Sequence, residues 1–389
     1  MARKIHISLV GGQTLPVYVP LANDDSITYD IIYLIHSERT EENAVLVKEW
    51  IERLRNRTAL TELVEFDAVS INRINEDIMV LQSKIDVDDE VWLNVSGGTK
   101  PWSVLFYQAF AGRERTNCLY LDQNGFLWNM QKGEWKETTT HNLSFQVLFS
   151  LHKVQATYTD LMQYTEKDSE ALDRLMDLRR EMGAGVFYGL TKDLDTRDEA
   201  KEKNWSVRKV NNACYIFDNG IDEEELSSPH IKDMLCNTGW FEYQTARLLS
   251  RWHQRKDIIM NVHFRGSATN GEANEVDIIV RTEKKFLFVE CKTSVAHPTD
   301  LDKFNEVSGQ YGGIAVKRML MIAYEPKRPN KYGKNKIEED KYKNYNIVMD
   351  KCKRYNIPVF VMNKVDYNEY SRRTFFKELD RYMDELNEK

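Results

Sequence analysis

Two short apolar segments, each carrying charges where charges are normally excluded, are the chain's clearest chemical signal. Glu275-Val276-Asp277-Ile278-Ile279-Val280 is followed by the polar stretch Arg281 to Lys285. Phe286-Leu287-Phe288-Val289-Glu290-Cys291-Lys292 comes next. The pair reads as a β-hairpin with a charged connection. Side chains alternate along a strand, so Glu290 and Lys292 share one face while Cys291 points away, and Glu275 and Asp277 share a face likewise. A bare Glu-x-Lys says little, since it recurs at Glu134/Lys136, Glu199/Lys201, Glu283/Lys285, Glu325/Lys327 and Glu339/Lys341. Glu290 and Lys292 differ in ending an apolar strand, where burying charge is costly unless the groups pair or bind a metal. Carboxylates suit a hard divalent cation. Such a cation polarises a phosphoryl oxygen and acidifies a bound water, and a neighbouring ammonium stabilises the charge that develops. The plain alternative is a structural ion pair at a strand end.

These groups need elements to position them. Gly239-Trp240-Phe241-Glu242-Tyr243 opens an amphipathic helix running through Ala246, Leu248, Leu249 and Trp252, upstream of the hairpin. The first third of the chain alternates apolar runs with helical spacing. Strands are expected at Ile5–Val10, Leu15–Leu21, Ile31–Ile35, Val64–Val69, Val91–Val95, Cys118–Leu121 and Phe126–Met130, and helices at Glu41–Arg57, Ile71–Lys84 and Trp102–Ala111. This order implies βαβ units and a parallel sheet covered on both faces. Ligands in such folds sit at the carboxyl ends of strands. The loops there are His36-Ser37-Glu38 and Ser96-Gly97-Gly98-Thr99-Lys100-Pro101. Glycines let backbone approach a phosphate, and helix N-terminal amides favour anions. The loop is not a Walker A motif, and a simple strand-to-helix turn would also fit it.

Composition narrows the classes. A length of 389 residues predicts two domains, and 42% hydrophobic content supports ordinary cores. Five scattered cysteines lack a Cys-x-x-Cys pair, and the histidines lack His-Glu-x-x-His spacing, so neither disulfides nor zinc is indicated. A net charge of −7 argues against a dedicated high-affinity DNA binder, yet Lys317 to Arg354 holds twelve Lys/Arg against five Asp/Glu, interleaved with Tyr324, Tyr332, Tyr342 and Tyr345. That strip could carry a phosphate backbone or simply be a solvated surface. The absence of a signal peptide or a long apolar run leads to the expectation of a cytoplasmic protein without membrane contact. The expected division is a first domain over residues 1–150, a helical and strand connector over 151–224, and a second domain over 225–389.

The hairpin resembles the core of PD-(D/E)xK nucleases, with Asp277 as the acidic strand residue, Glu290-Cys291-Lys292 as the E-x-K, and Glu242 at the helix position. Val276 stands where that family has proline. The resemblance implies Asp277 and Glu290 as direct ligands of Mn2+ or Mg2+, with the Cys291 carbonyl a third. Glu242 would act as a ligand or through a water, and Lys292 would orient the attacking water. Gln310 is a weak candidate for an assisting residue. The first third resembles CARF domains of type III CRISPR ancillary proteins in Leu9-Val10-Gly11-Gly12-Gln13-Thr14-Leu15-Pro16, Leu34-Ile35-His36-Ser37 and Asn94-Val95-Ser96-Gly97-Gly98-Thr99-Lys100. The implied fold is a Rossmann-like CARF domain followed by a restriction-endonuclease-like α/β nuclease domain. The implied protein is a homodimer that binds one cyclic tetra-adenylate through Gln13, Ser37, Gly97, Gly98, Thr99 and Lys100, and then cuts DNA, single-stranded RNA or both. An effector-independent restriction or repair nuclease and a non-enzymatic regulator are the alternatives.

Overall fold

A computed structural model describes residues 2–385 except 24–26, 56–59, 193, 195–196, 212, 219–221, 237, 266–273, 295–296 and 327–335. The first sheet is laid down by alternation: β1 (Lys4–Leu9), α1 (Leu15–Ala22), β2 (Ile31–His36), α2 (Glu41–Arg55), β3 (Leu60–Glu65), α3 (Ile71–Ser83), β4 (Glu90–Asn94), α4 (Lys100–Phe110) and β5 (Thr116–Leu121). The antiparallel strands β6 (Phe126–Asn129) and β7 (Glu134–Glu137) extend it. The order is β3-β2-β1-β4-β5-β6-β7, with β1 to β5 parallel. Strand order reverses between β1 and β4, the place where open α/β sheets form a ligand crevice.

Leu15–Leu21 is a helix, not the expected strand. All eight residues of α1 are buried. A helix apolar on every side has no amphipathic period, and the run of Val, Tyr and Leu then looks like β sequence. It is buried because it lies where the first domain meets the second. One core joins Leu15, Val17 and Leu21 of α1 and Phe145, Leu148 and Phe149 of α5 (Phe145–Leu151) to Phe264, Phe286, Phe304 and Tyr311 further along the chain. Phe149 meets Phe264 edge-on at 5.3 Å between ring centroids.

The expected connector contributes more than a link. Its β8 (Gln155–Asp160) is an edge strand of the second large sheet. After it come α6 (Glu166–Met182), α7 (Ala184–Thr191) and the antiparallel sheet of β9 (Glu199–Glu202), β10 (Trp205–Val210), β11 (Ala213–Asp218) and β12 (Asp222–Ser227). Then α8 (Ile231–Leu235) and α9 (Gly239–Leu249) lead into β13 (Arg255–Arg265), β14 (Asn274–Thr282) and β15 (Phe286–Lys292). Helix α10 (Pro298–Gly312), β16 (Val316–Ile322), α11 (Lys336–Arg354), β17 (Val359–Val361), α12 (Met362–Val365) and α13 (Glu369–Asp384) complete the unit. The sheet order is β17-β16-β15-β14-β13-β8.

The turn of the β14–β15 hairpin is fastened to the first domain. Thr140 donates its N–H to the Glu283 carbonyl at 2.7 Å and its hydroxyl to the Thr282 carbonyl. Lys284 pairs with Glu137 at 2.9 Å, and Lys285 donates to the Asn124 carbonyl at 3.0 Å. Part of the basic strip is interior: Lys317 is only 2% exposed and donates to the Glu385 carbonyl at 2.8 Å. Tyr332 lies outside the described residues. Among the described residues no helix is long and apolar enough to cross a membrane.

Candidate active site

Helix α9 is fixed on the sheet by buried Trp240, Phe241, Ala246 and Leu249. Its start demands glycine, because a Cβ on Gly239 would lie 1.9 Å from the Asp233 carbonyl oxygen. The entry also holds Thr238 at φ 69°, a left-handed conformation unusual for a β-branched residue. The Thr238 hydroxyl then donates to Glu242 Oε1 at 3.3 Å, so the close approach of α8 to α9 aims Glu242.

The hairpin delivers the other groups. Pairing of Ile278 with Val289 and of Val280 with Leu287 sets the antiparallel register of β14 and β15. The Cys291 N–H donates to Asp277 Oδ2 at 2.6 Å. Lys292 Nζ stands 2.7 Å from Glu290 Oε1, as expected for alternate residues sharing a face. Asp277, Glu242, Glu290 and Lys292 therefore lie close enough to act on one another's charge. Glu275 lines the same cleft, with Oε1 3.8 Å from His263 Nε2. Gln310 does not join them: it faces a separate pocket of about 280 Å³ beside Gln13, Asn43 and His152.

Crowding governs the electrostatics. Burial pushes Asp277 well above the usual carboxylate range, and the Glu290 and Glu242 charges push the same way against Lys292 and the Cys291 N–H. Glu242 is pushed up to about 7, first by burial and then by Glu275. Burial raises Glu290 despite the pull of Lys292. Burial alone would depress Lys292, but Glu290 and Asp277 outweigh it and keep the amine protonated. Three carboxyls that destabilise one another beside one cation form a donor set that a hard divalent ion would relieve. Glu290 is turned to Lys292, and among the described residues no three His, Cys, Asp or Glu side chains enclose a metal position. The donor types are those a hard divalent ion takes, while Glu290 is held by Lys292 in this arrangement.

The cluster opens on a cleft of about 810 Å³. Its further lining includes Thr157 of β8, Asn261 and His263 of β13, Lys209 of β10 and Lys232 of α8. These residues were missed in the sequence, since they lie far from the hairpin along the chain. Asn261 takes φ 53° where the β13–β8 register slips between Met260 and His263, and Asn is among the residues that tolerate a bulge of this kind.

The glycine loops also converge. They leave the carboxyl ends of the neighbouring strands β2, β1 and β4. A Cβ on Gly97 would sit 2.1 Å from the Leu9 carbonyl oxygen, and one on Gly11 would sit 2.8 Å from the Gly98 nitrogen. The loops after β1 and β4 thus touch through backbone. Thr99 caps α4, accepting the Trp102 N–H, and Lys100 is exposed at the helix start. Ser37 is buried, with its hydroxyl 3.2 Å from Thr40 Oγ1. The side chain of Gln13 is exposed on the interdomain pocket shared with Gln310. Ser96 Oγ accepts the Leu121 N–H at 2.7 Å, linking the loop after β4 to the end of β5.

Comparison with known proteins agrees with this two-part plan. Residues 5–147 match the family described as the Card1 CARF domain, and residues 231–336 match that described as the Card1-like endonuclease domain. No curated protein matches the chain. Among solved structures, Can2 from Sulfobacillus thermosulfidooxidans, in complex with cyclic tetra-adenylate, is 15% identical with a TM-score of 0.63 over 98% of this chain and 100% of its own. Protein VC1899 from Vibrio cholerae is 14% identical, with a TM-score of 0.68 over 97% of this chain and 98% of its own. These two likenesses concern the fold. The two family matches together show a chain that joins a domain of the Card1 CARF family to a Card1-like endonuclease domain.

Proposed function

We propose that this protein is a metal-dependent endonuclease that hydrolyses phosphodiester bonds of DNA, single-stranded RNA or both. In this reading it is switched on by cyclic tetra-adenylate and serves type III CRISPR antiviral defence in the cytoplasm. The observation that carries the reading is the meeting of Asp277, Glu290 and Lys292 at the end of a hairpin whose turn the CARF domain grips.

Asp277, Glu290 and the Cys291 carbonyl would hold Mn2+ or Mg2+, with Glu242 a ligand directly or through a water. The cation supplies Lewis-acid polarisation and an acidified water. Lys292, kept protonated by its acidic neighbours, would offset the charge that builds on the phosphate.

Ser37, Gly97, Gly98, Thr99 and Lys100 would take the ring's phosphates and riboses, with one ring across the two-fold axis of a homodimer so that identical loops meet a symmetric ligand. Gln13 would act from the far side of its loop, at the joint with α10. Effector-driven motion of the loop after β4 has a short route to the hairpin, through Ser96 to Leu121 and then Asn124 to Lys285. The ligand drives the change only to the extent that it prefers the active state.

The test is to incubate plasmid DNA and labelled RNA with Mn2+ or Mg2+, with and without cyclic tetra-adenylate. Cutting that requires both ion and effector is expected. Cutting indifferent to the effector would make the protein a restriction or repair nuclease, and no cutting under any condition would make it a regulator; either overturns the proposal.

A further inference from the structure

The catalytic cleft is lined by more than the sheet that carries Glu275, Asp277 and Lys292. Lys232 and Asp233 of α8 and Lys209 of β10 open on the same space. Four carboxylates line it, Asp233, Glu242, Glu275 and Asp277. A polyanionic strand entering such a cleft needs cations beyond the one ion that would take the scissile phosphate.

Helix α8 is short, but both of its ends are fixed to their surroundings. At its start, the His230 N–H donates to Asp168 Oδ1 at 3.2 Å. The His230 ring stacks on Tyr164 at 4.1 Å between centroids, and Tyr164 stacks in turn on Tyr243 of α9 at 4.3 Å. Further along, backbone meets backbone, since the Asp233 carbonyl oxygen is the atom that a Cβ on Gly239 would strike. Gly239 stands about one helical turn before Glu242, whose carboxyl accepts from the Thr238 hydroxyl. The backbone that carries Lys232, next to Asp233, is therefore set relative to Glu242.

The cations of the cleft are not equivalent. Lys292 is held by Glu290 at 2.7 Å, and His263 stands 3.8 Å from Glu275. The Lys209 ammonium donates to the Leu194 carbonyl. Lys232 is exposed, and among the described residues neither a carboxylate nor a carbonyl takes its ammonium. A lone exposed lysine is ordinarily a solvated surface group. This one differs in having a pinned backbone on a cleft whose other cations are engaged.

We infer that Lys232 is a positioning residue that takes a non-scissile phosphate of the bound strand and so sets which phosphodiester reaches Asp277 and Glu290. The inference rests on the nuclease reading above. An ammonium on a flexible stem suits a phosphate oxygen and reads no base, so the contact acts on strand register and not on sequence choice.

The test uses the full chain with cyclic tetra-adenylate and Mn2+, and oligonucleotides of whichever nucleic acid the wild type cuts, each cut at one mapped position. Every oligonucleotide carries a single neutral methylphosphonate in place of one non-scissile phosphate. For the wild type, one such position is expected to raise KM about five-fold with kcat little changed. Lys232→Met should raise KM on the unsubstituted strand by a similar factor and lose most of the penalty at that position. Its affinity should also fall less steeply with salt, by about one phosphate contact. Lys232→Arg should restore both behaviours. Lys201→Met removes an exposed lysine outside the cleft and should alter neither. Both lysines are exposed, so the variants should fold. Wild-type cutting that ignores every methylphosphonate overturns the positioning role and leaves the nuclease reading standing. So does a penalty that adds in full to the Lys232→Met loss, or an equal loss in Lys201→Met, which would make the effect one of net charge. A wild type that cuts nothing overturns the nuclease reading and this one with it.

Discussion

Two aspartates, one in each domain, are almost equally hidden and yet opposite in character. Asp89, 1% exposed in the CARF domain, accepts from Arg3 Nη2 at 2.5 Å and from the N–H groups of Arg3 and Asp86 at 2.8 and 2.9 Å. Burial would raise its carboxyl, but those donors outweigh it and hold it below the usual range. Asp277, 9% exposed, accepts from the Cys291 N–H and faces two other carboxyls that drive it upward. A satisfied buried charge holds a fold together, whereas a frustrated one indicates a site awaiting a partner.

The sharpest way to break this contrast is to neutralise each residue. Asp277→Asn should lower cleavage by about a thousand-fold while leaving cyclic tetra-adenylate affinity unchanged and the melting temperature no lower than wild type, because repulsion is removed. Near-normal cleavage, or a clear fall in Tm, would overturn the assignment. Lys292→Met should lower the cleavage rate by about a hundred-fold with a smaller change in ion affinity, to be followed by kinetics beside calorimetry. An ion affinity that falls as far as the rate would make Lys292 a structural partner of Glu290.

Asp89→Asn should do the reverse and cost about 2 kcal/mol of stability, discounted because Arg3 is partly solvated, with cleavage preserved at low temperature. Its carboxyl is lower in the folded state than in the unfolded chain, where it titrates near ~4. The stability it contributes is therefore complete above that pH and is lost as pH falls through the folded value. Denaturant midpoints across acidic pH should show a shallower slope in Asp89→Asn. The smallest effect is expected from Lys285→Met, which releases the hairpin turn from Asn124: effector stimulation should drop about five-fold with effector-free activity unchanged. Full stimulation in this variant would rule out the turn as a route of coupling.

The sequence made the hairpin legible because its charges interrupt apolar strands, and Glu242 only through the resemblance to a nuclease core that has a Glu on the preceding helix. The loop after β4 was legible from its glycines alone. Other features depend on tertiary placement. Helix α1 looked like a strand because burial on every side erased its period. Residues 151–224 looked like a connector, yet β8 within them pairs into the nuclease sheet. Lys317 was counted as surface charge, but its stem and head are enclosed. Lys209 and Lys232 reach the cleft from elements that no local pattern connects to Asp277.

The core that α1 and α5 share with Phe264, Phe286 and Tyr311 has a mechanical meaning. Two lobes joined by a slack tether can swing freely, and a signal arriving at one is dissipated as swing. Here the lobes are cemented through side chains, so under the proposed activation a small displacement at the glycine loops would be passed on instead of absorbed. The same cement should make them melt as one: a calorimetric scan of the intact chain is expected to give a single endotherm, the signature of one cooperative unit built from two domains.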